Sequence, residues 1–374
     1  MNHGTRELIV GGGISGLALA GARARSGAAV EVIERADEWQ ITSSGITLKP
    51  PAIRALDRLG LLDQVRQRGS LDDEIHHHDP AGNRIHVTKQ DALAGTDVPA
   101  AGGIMRTDLH EILLGGALDA GATVRMGTTV ASIETDDDSA TVELSDGDGG
   151  RYDLVVGADG IRSSIRPEVS SPEAGQPRFL HAAVWRAVVA RHPAVETLSI
   201  FYGPRVAGAS PVSAEQMYIF ALAPLPEPRH FERDELVPAM RELLGAFTNT
   251  MADVREQIVD PDQVVVRPLW SCLVKPPWHR GRIVLIGDAV HGPPSTLATG
   301  GGMAMEDAVV LDEALRTEPS VEAALVSYTD RRWPRTSNSV RLTIEHLETI
   351  LAGRAGPELA RIETEAHAAL SAPL

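Results

Sequence analysis

Short runs of consecutive apolar residues, each followed closely by glycine or an acidic residue, recur along the chain. Residues 7–10, 30–33, 154–157 and 283–286 have this pattern, which is typical of strands buried on both faces of a parallel sheet. Residues 17–26, between the first two runs, are rich in Ala, Leu and Arg and predict a helix. Strand, helix and strand in this order indicate an α/β fold.

The pattern changes in the middle of the chain. From about residue 176 to residue 270 the pattern becomes strand-like, and aromatic residues, only 4% overall, are concentrated there. The candidate strands are residues 184–189, 198–202 and 216–222. Residues 73–89 predict a hairpin about a turn at 79–83, and residues 321–352 predict one or two helices broken near Pro334.

The first apolar run leads into a glycine-rich turn, residues 11–16, with the spacing G-x-G-x-x-G. Gly11 permits a tight turn, Gly13 lets a pyrophosphate approach the backbone, and Gly16 lets the next helix pack close to the strand. Ser15 lies in the same turn. The free amides at the helix N-terminus favour phosphate, so the turn predicts a dinucleotide site, and the motif alone does not separate FAD from NAD.

An acidic residue ends the second apolar run. Glu34 lies 18 residues after Gly16 and is followed by Arg35. Its carboxylate would accept hydrogen bonds from ribose hydroxyls and would repel a 2′-phosphate. A glycine turn that binds nothing is the alternative, but strand, turn, helix, strand and acid together favour a nucleotide site.

Composition and charge exclude several classes of function. The 374 residues are enough for two or three domains. Lys and Arg number 35 against 51 Asp and Glu, a net charge of −16, which argues against nucleic acid or an anionic membrane as partner. The single cysteine, Cys272, excludes an internal disulfide or a cysteine-built metal site, and no metal is expected. The absence of a signal peptide or apolar span predicts a cytoplasmic location.

Three consecutive histidines, His76, His77 and His78, invite comparison with a metal site. On a strand the outer two would share a face while the middle one would point away, which leaves too few ligands for a metal ion. We therefore expect surface histidines here.

The third and fourth apolar runs also end at an acid and a glycine. The third leads into Asp159 and Gly160, and the fourth leads into Gly287 and Asp288. An acid after a strand can accept hydrogen bonds from the hydroxyls of a polyol, and a turn or helix-capping role is the alternative.

In order and spacing, these motifs resemble those of the single-component, class A flavoprotein monooxygenases, which include p-hydroxybenzoate, salicylate and 6-hydroxynicotinate hydroxylases. Arg106 matches the FAD-contacting arginine of that family, and Gly45 and Ile46 resemble the segment that lines the flavin ring. The resemblance covers about residues 7–350 and is weakest between about 170 and 270.

The resemblance implies an α/β fold: a Rossmann-like FAD-binding domain of the p-hydroxybenzoate hydroxylase type with an inserted, mainly β substrate domain and C-terminal helices. The FAD-binding domain would be discontinuous and comprise residues 1–75, 100–175 and 271–320. The substrate domain would comprise residues 76–99 and 176–270, and the C-terminal helical segment residues 321–374.

The cofactors implied by the resemblance are FAD, bound permanently, and NADH or NADPH, bound transiently. Asp159 and Gly160 would serve both, and Asp288 would hydrogen-bond the ribityl chain of FAD. The helix that begins at residues 300–302 would point its positive end at the N1–C2=O edge of the flavin. The residues expected to hold FAD are Gly11, Gly13, Ser15, Gly16, Glu34, Arg35, Gly45, Ile46, Arg106, Asp159, Gly287, Asp288, Gly300, Gly301 and Gly302.

The implied reaction is monooxygenation, in which a flavin C4a-hydroperoxide passes one oxygen of O₂ to a small phenolic or N-heteroaromatic substrate. A same-fold FAD reductase or dehydrogenase, a two-component monooxygenase fed by a separate flavin reductase, and a non-catalytic nucleotide-binding module are alternatives. A monomer or homodimer is expected. No catalytic base is predicted. The candidates for contact with substrate are His291, Arg186, Tyr202 and Tyr218, for which core packing or a surface ion pair is the alternative.

Overall fold

The computed structural model describes residues 4–90, 98–171, 173–354 and 356–374. Its strands are β1 (Arg6–Val10), β2 (Ala29–Ile33), β3 (Gly45–Leu48), β4 (Ser70–Asp72), β5 (Glu74–His78), β6 (Arg84–Lys89), β7 (Ala101–Met105), β8 (Thr123–Arg125), β9 (Val130–Thr135), β10 (Ala140–Leu144), β11 (Gly149–Tyr152), β12 (Leu154–Gly157), β13 (Arg178–Ala190), β14 (Leu198–Tyr202), β15 (Val206–Pro211), β16 (Gln216–Pro224), β17 (Val264–Ser271), β18 (His279–Arg280) and β19 (Ile283–Leu285). Its helices are α1 (Ile14–Arg25), α2 (Pro50–Arg58), α3 (Leu62–Arg68), α4 (Arg106–Asp119), α5 (Arg166–Val169), α6 (Arg233–Leu243), α7 (Thr250–Glu256), α8 (Asp288–His291), α9 (Gly300–Thr317), α10 (Val321–Leu351) and α11 (Pro357–Ser371).

A six-stranded sheet in the order β18-β19-β12-β1-β2-β8 contains the four apolar runs. β1 pairs in parallel with both β12 and β2, and β12 pairs in parallel with β19. The parallel strands predicted from the uninterrupted apolar runs are therefore confirmed. The glycine turn after β1 and the turns after β12 and β19 follow strands that run in one direction, so they lie at the same edge of the sheet.

A seven-stranded sheet in the order β17-β13-β16-β15-β14-β5-β6 lies beside the first. It confirms the three predicted strands and the predicted hairpin, which is the antiparallel pair β5 and β6. One face packs against α6 and α7, where Trp185 and Phe201 meet Met240 and Phe247 in one apolar core. We call the opposite face, on which Arg186 lies, the inner face.

The expectation of surface histidines is wrong. His76, His77 and His78 are 5%, 9% and 8% exposed. The alternation is as predicted, because His78 stacks on Phe201 with ring centroids 4.7 Å apart while His77 bonds Tyr202 on the inner face. The triplet is buried because β5 is an inner strand of the sheet, between β14 and β6, which the sequence does not reveal.

A small sheet in the order β3-β7-β4 lies directly on the inner face. The two sheets approach closely at glycine residues. A Cβ atom added at Gly45 would overlap the ring of Tyr218, and one at Gly103 would overlap the carbonyl of Pro211. The glycines of β3 and β7 therefore let the small sheet lie against β15 and β16.

The predicted break near Pro334 is wrong, because α10 is one helix from Val321 to Leu351. Pro334 removes the hydrogen bond to the carbonyl of Asp330, but both residues are exposed, so that carbonyl stays hydrated. Buried Arg332 bonds Asp307 of α9 at 2.7 Å and fixes the helix beside the proline. Within the described ranges, no helix is long and apolar enough to span a bilayer.

Candidate active site

The glycine turn after β1 has an open side and a closed side. Gly11 has a φ of +111°, and a Cβ atom there would lie 2.5 Å from the carbonyl oxygen of Ala158. A Cβ at Gly16 would overlap the carbonyl oxygen of Gly11. A Cβ at Gly13, in contrast, would have no atom within 4 Å. Gly11 and Gly16 are therefore required by packing, whereas Gly13 borders free space at the N-terminus of α1, where a phosphate group fits.

The acid and the arginine that end β2 lie in different surroundings. Glu34 accepts hydrogen bonds from the amides of Gly12 at 3.0 Å and Ala36 at 3.1 Å, so its carboxylate is held against the glycine turn. Arg35 is exposed. The position of Glu34 beside the turn fits a ribose partner, since carboxylate oxygens keep further lone pairs for hydroxyl donors.

The turn after β19 touches the first glycine turn. Gly287 has a φ of +61°, and a Cβ there would lie 2.8 Å from the Ser15 hydroxyl. A Cβ at Gly300, in the first turn of α9, would lie 3.9 Å from a carboxylate oxygen of Asp288. Two glycine-containing corners that are far apart in sequence are therefore neighbours at one end of the sheet.

The other glycines at the start of α9 meet β3 and α2. A Cβ at Gly301 would lie 3.2 Å from Ile46 and 3.7 Å from Ile14, and one at Gly302 would lie 2.9 Å from the backbone nitrogen of Ala52. Ile46 thus lies between the glycine turn and the N-terminus of α9. The structure brings together the first glycine turn, β3 and the start of α9 around one cleft.

Asp288 and Arg106 carry opposite charges into this cleft. The Asp288 side chain is exposed, yet desolvation by the surrounding protein raises its pKa, with His291 and Arg106 opposing the shift. Desolvation lowers the pKa of Arg106, and the charge of Asp288 opposes that shift. The side chains of Asp288 and Arg106 make no hydrogen bond to any described residue, so both have unused bonding capacity.

Only one carboxylate oxygen of Asp159 forms hydrogen bonds within its own turn. One carboxylate oxygen accepts hydrogen bonds from the amide of Ser164 at 2.6 Å and from its hydroxyl at 2.9 Å. The other oxygen, Oδ1, is buried and has no partner in the part of the chain that the structure describes. A Cβ at Gly160 would meet no atom within 4 Å. Free space beside Gly160 and the unpaired oxygen Oδ1 of Asp159 therefore occur in the same turn.

His291 is buried instead of lining the cleft, which corrects the expectation that it borders the substrate. It is 1% exposed, and its Nε2 lies 2.6 Å from Asp307. Burial opposes ionisation, but His291 and Arg332 lower the pKa of Asp307. The same carboxylate accepts the amide of Gly287 at 2.8 Å. His291 and Asp307 thus fix the turn that carries Asp288.

Three arginines converge where the inner face meets β7. Burial lowers the pKa of Arg186, and the charges of Arg106 and Arg267 lower it further. Neither Arg106 nor Arg186 lies within ion-pair distance of a carboxylate among the described residues. Tyr218, whose hydroxyl bonds the Thr47 hydroxyl, is buried beside them. We call Arg106, Arg186 and Arg267 the arginine end of the cleft. None of the three forms an ion pair with a described carboxylate, so their positive charge favours an anion.

Tyr202 lies elsewhere, at the opposite side of the inner face. Its hydroxyl lies 2.9 Å from Nδ1 of His77 and 3.3 Å from Oε1 of Glu363 on α11. Of the four candidates for substrate contact, the structure therefore places Arg186 and Tyr218 together, separates Tyr202 from them and buries His291.

Sequence reasoning missed several residues that line the cleft or support it. Arg267 and Thr47 have no local signal, because each gains its role only from a neighbouring strand. Glu306 and Asp307, at the middle of α9, did carry a signal in the sequence. Two adjacent carboxylates within an apolar helix need buried partners. The missed residues are Thr47, Lys49, Arg267, Asp307 and Glu363.

Comparisons with known proteins agree with this geometry. The family model described as "FAD binding domain" matches residues 5–343. The chain is 32% identical to the 3-hydroxybenzoate 6-hydroxylase of Polaromonas naphthalenivorans over 321 residues, 83% of this chain and 78% of that protein. It is 32% identical to the aurachin C monooxygenase/isomerase of Stigmatella aurantiaca over 349 residues, 91% of this chain and 88% of that protein.

The crystal structure of Klebsiella pneumoniae HpxO complexed with FAD and uric acid has the same fold. Its TM-score is 0.84 at 25% sequence identity, with 99% of this chain and 97% of that chain covered. The glycine turns, the unpaired acid and the family match lead to one conclusion. The chain belongs to the FAD-dependent aromatic monooxygenases built on this FAD-binding domain, and FAD is its cofactor.

Proposed function

We propose that this protein hydroxylates a small anionic aromatic substrate, phenolic or N-heteroaromatic, with O₂ and electrons from NADH or NADPH. The single observation that carries the substrate proposal is the arginine end, where desolvated Arg106 and Arg186 lack a carboxylate partner among the described residues. An aryl carboxylate or phenolate would supply the missing negative charge.

The residues at the turn edge of the six-stranded sheet fit FAD. Gly13 and Gly160 border free space, and Asp288 and Oδ1 of Asp159 have unused acceptor capacity. The glycine turn would hold the pyrophosphate, Glu34 a ribose, and Asp288 the hydroxyls of the ribityl chain. FAD, once reduced, would supply the oxygen-transfer chemistry itself.

The chain's own groups would bind and orient the substrate. The arginine end would fix an anionic group, and the apolar inner face would exclude water from the ring. The start of α9, directed into the cleft through Gly300 and Gly301, would place its positive end where reduced flavin carries negative charge.

The nicotinamide co-substrate would bind transiently. The sequence holds one G-x-G-x-x-G turn, at residues 11–16, and FAD would occupy it. A second resident dinucleotide would need another such strand-turn-helix site. A separate reductase that supplies the electrons is the competing arrangement.

The test is oxygen transfer by the purified FAD-loaded protein. NADH or NADPH would be supplied with 3-hydroxybenzoate or 6-hydroxynicotinate under isotopically labelled O₂, and products analysed by mass spectrometry. Substrate-stimulated nicotinamide oxidation with one labelled oxygen in the product is expected. Oxidation of the substrate without label would indicate a dehydrogenase, and activity only after addition of a flavin reductase would refute direct use of NAD(P)H.

A further inference from the structure

The inner face has a second polar end, remote from the arginines. Across the sheet, Arg186 pairs with Phe220, Phe220 with Gly208, Gly208 with Ile200, and Ile200 with His77. The path from β13 to β14 crosses three strand intervals, or about 14 Å at about 4.8 Å per strand. A substrate of one ring bound at the arginines is too short to reach Tyr202 on β14.

The space between the two ends is open. Phe220, Ile200 and Tyr202 face the interior of the molecule, yet each remains partly exposed. A Cβ at Gly208 would overlap the ring of Phe220, so the end of the phenyl ring lies against the glycine. The surface between the two ends is therefore apolar and partly exposed.

One wall of this space is β3, which runs from Tyr218 towards Glu363. It begins at Gly45, packed on Tyr218 near the arginine end, and is followed directly by Lys49. Burial lowers the pKa of Lys49 to about 8, and the charges of Asp72 and Glu363 oppose that shift. The strand that contains Gly45 and Ile46 thus leads to the distal polar residues.

We call Lys49, His77, Tyr202, His346 and Glu363 the distal cluster. The donors and acceptors of its hydrogen bonds can be assigned in order, starting from Glu363. An ionised Glu363 only accepts, so the Tyr202 hydroxyl donates to its Oε1 at 3.3 Å. Tyr202 then accepts from Nδ1 of His77 at 2.9 Å, and Nε2 of His77 accepts from the Thr88 hydroxyl at 2.9 Å. Burial lowers the pKa of His77 and therefore favours a neutral ring.

This assignment leaves unused acceptor capacity on Oε2 of Glu363 and on Nδ1 of His346, of which the latter is buried without a partner among the described residues. Oε1 of Glu363 receives Tyr202 and, at 3.4 Å, Nε2 of His346. Oε2 receives no hydrogen bond from the described residues, and the Glu363 side chain is 32% exposed. Burial opposes ionisation of Glu363, but His346 and His77 keep its pKa below the ordinary value. Beside Tyr202, Glu363 therefore carries an ionised carboxylate on a partly exposed side chain, and one of its oxygens has no partner among the described residues.

Building on the proposed function, we propose that Oε2 of Glu363 binds a neutral hydrogen-bond donor, a hydroxyl or N–H, at the far end of a substrate longer than one ring. A neutral donor fits better than a cation, because the ammonium of Lys49 shares this end and offsets the carboxylate. α11 would thus bring a specificity-determining residue to the site, while Tyr202 and His77 position it.

The test measures binding rather than turnover. Benzoate, biphenyl-4-carboxylate and 4′-hydroxybiphenyl-4-carboxylate would be titrated into the FAD-loaded protein, with the visible flavin spectrum as readout. In the natural protein the 4′-hydroxyl should tighten binding about tenfold over the unsubstituted biphenyl acid, the usual strength of a hydrogen bond to a charged group. Glu363→Gln, which keeps an acceptor for Tyr202, should reduce that advantage below about threefold.

Glu358→Gln on the same helix is the matched control, since the Glu358 side chain is 41% exposed and bonds Arg354 instead of a residue of the distal cluster. It should leave all three affinities unchanged. Equal hydroxyl advantage in the natural protein and in Glu363→Gln would overturn the proposal, as would an equal loss for all three ligands. Failure of benzoate itself to bind would instead refute the arginine end and the proposed substrate class.

Discussion

Two glycines of the same turn should respond in opposite ways to alanine. Gly13 has a φ of −81°, which alanine adopts without strain, and its added methyl group would meet no protein atom within 4 Å. In the FAD-free protein, Gly13→Ala should therefore be neutral or stabilising by about 0.4–1 kcal/mol, through lower entropy of the unfolded chain. The methyl group would occupy the space in which a pyrophosphate must approach the backbone.

The binding defect should appear only when FAD is added. At a free FAD concentration of about 100 times Kd, FAD stabilises the natural protein by about 2.7 kcal/mol, and Gly13→Ala should lose most of that gain. Gly16→Ala is the contrasting variant, because its methyl group would overlap the backbone carbonyl of Gly11. It should destabilise the FAD-free protein by at least about 1–3 kcal/mol.

Denaturant unfolding with and without FAD, together with titration of FAD fluorescence, measures both quantities. The reasoning fails if Gly13→Ala binds FAD as tightly as the natural protein. It also fails if Gly13→Ala, without FAD, is as unstable as Gly16→Ala, because the space beside Gly13 would then be filled by protein.

Three further predictions concern charged groups. Arg186→Met should weaken benzoate binding to the FAD-loaded protein at least tenfold while FAD affinity stays unchanged, since a charge-assisted hydrogen bond contributes about 1.5–3 kcal/mol; equal benzoate affinity would contradict the arginine end. Asp307→Asn should lower the free energy of unfolding by about 3–5 kcal/mol, because Arg332 and His291 lose a buried partner, with exposed Asp330→Asn as the control. Because burial lowers the pKa of Lys49 to about 8, the unfolded chain binds more protons between about pH 8 and pH 10. Over this pH range the free energy of unfolding should therefore rise more steeply in the natural protein than in Lys49→Met. Parallel pH profiles of the two proteins would contradict the lowered pKa of Lys49.

The local patterns predicted the fold well because each depended on neighbours in sequence. The parallel strands followed from uninterrupted apolar runs. The glycine turn followed from its spacing, because Gly11 and Gly16 lie against backbone atoms and leave no room for a side chain. The hairpin at residues 73–89 and the inner strands of the second sheet followed from alternation. These features are fixed by period and backbone geometry, which sequence reports directly.

The failures share one cause, which is that burial depends on strands and helices distant in sequence. His76, His77 and His78 look like surface residues until β14 and β6 enclose β5. The proline in α10 looks like a helix break until the anchoring of Arg332 on α9 is known. Local composition cannot report either partner.

The sequence by itself determined a parallel α/β sheet, a G-x-G-x-x-G turn and the acids that end neighbouring strands, since each is written within a few consecutive residues. Only the tertiary structure decided which charges face each other: the three arginines come from the start of α4, from β13 and from β17, and Glu363 reaches Tyr202 from a helix 161 residues further along the chain. Electrostatic and hydrogen-bonding partners are chosen by distance in space, and distance in sequence does not constrain them.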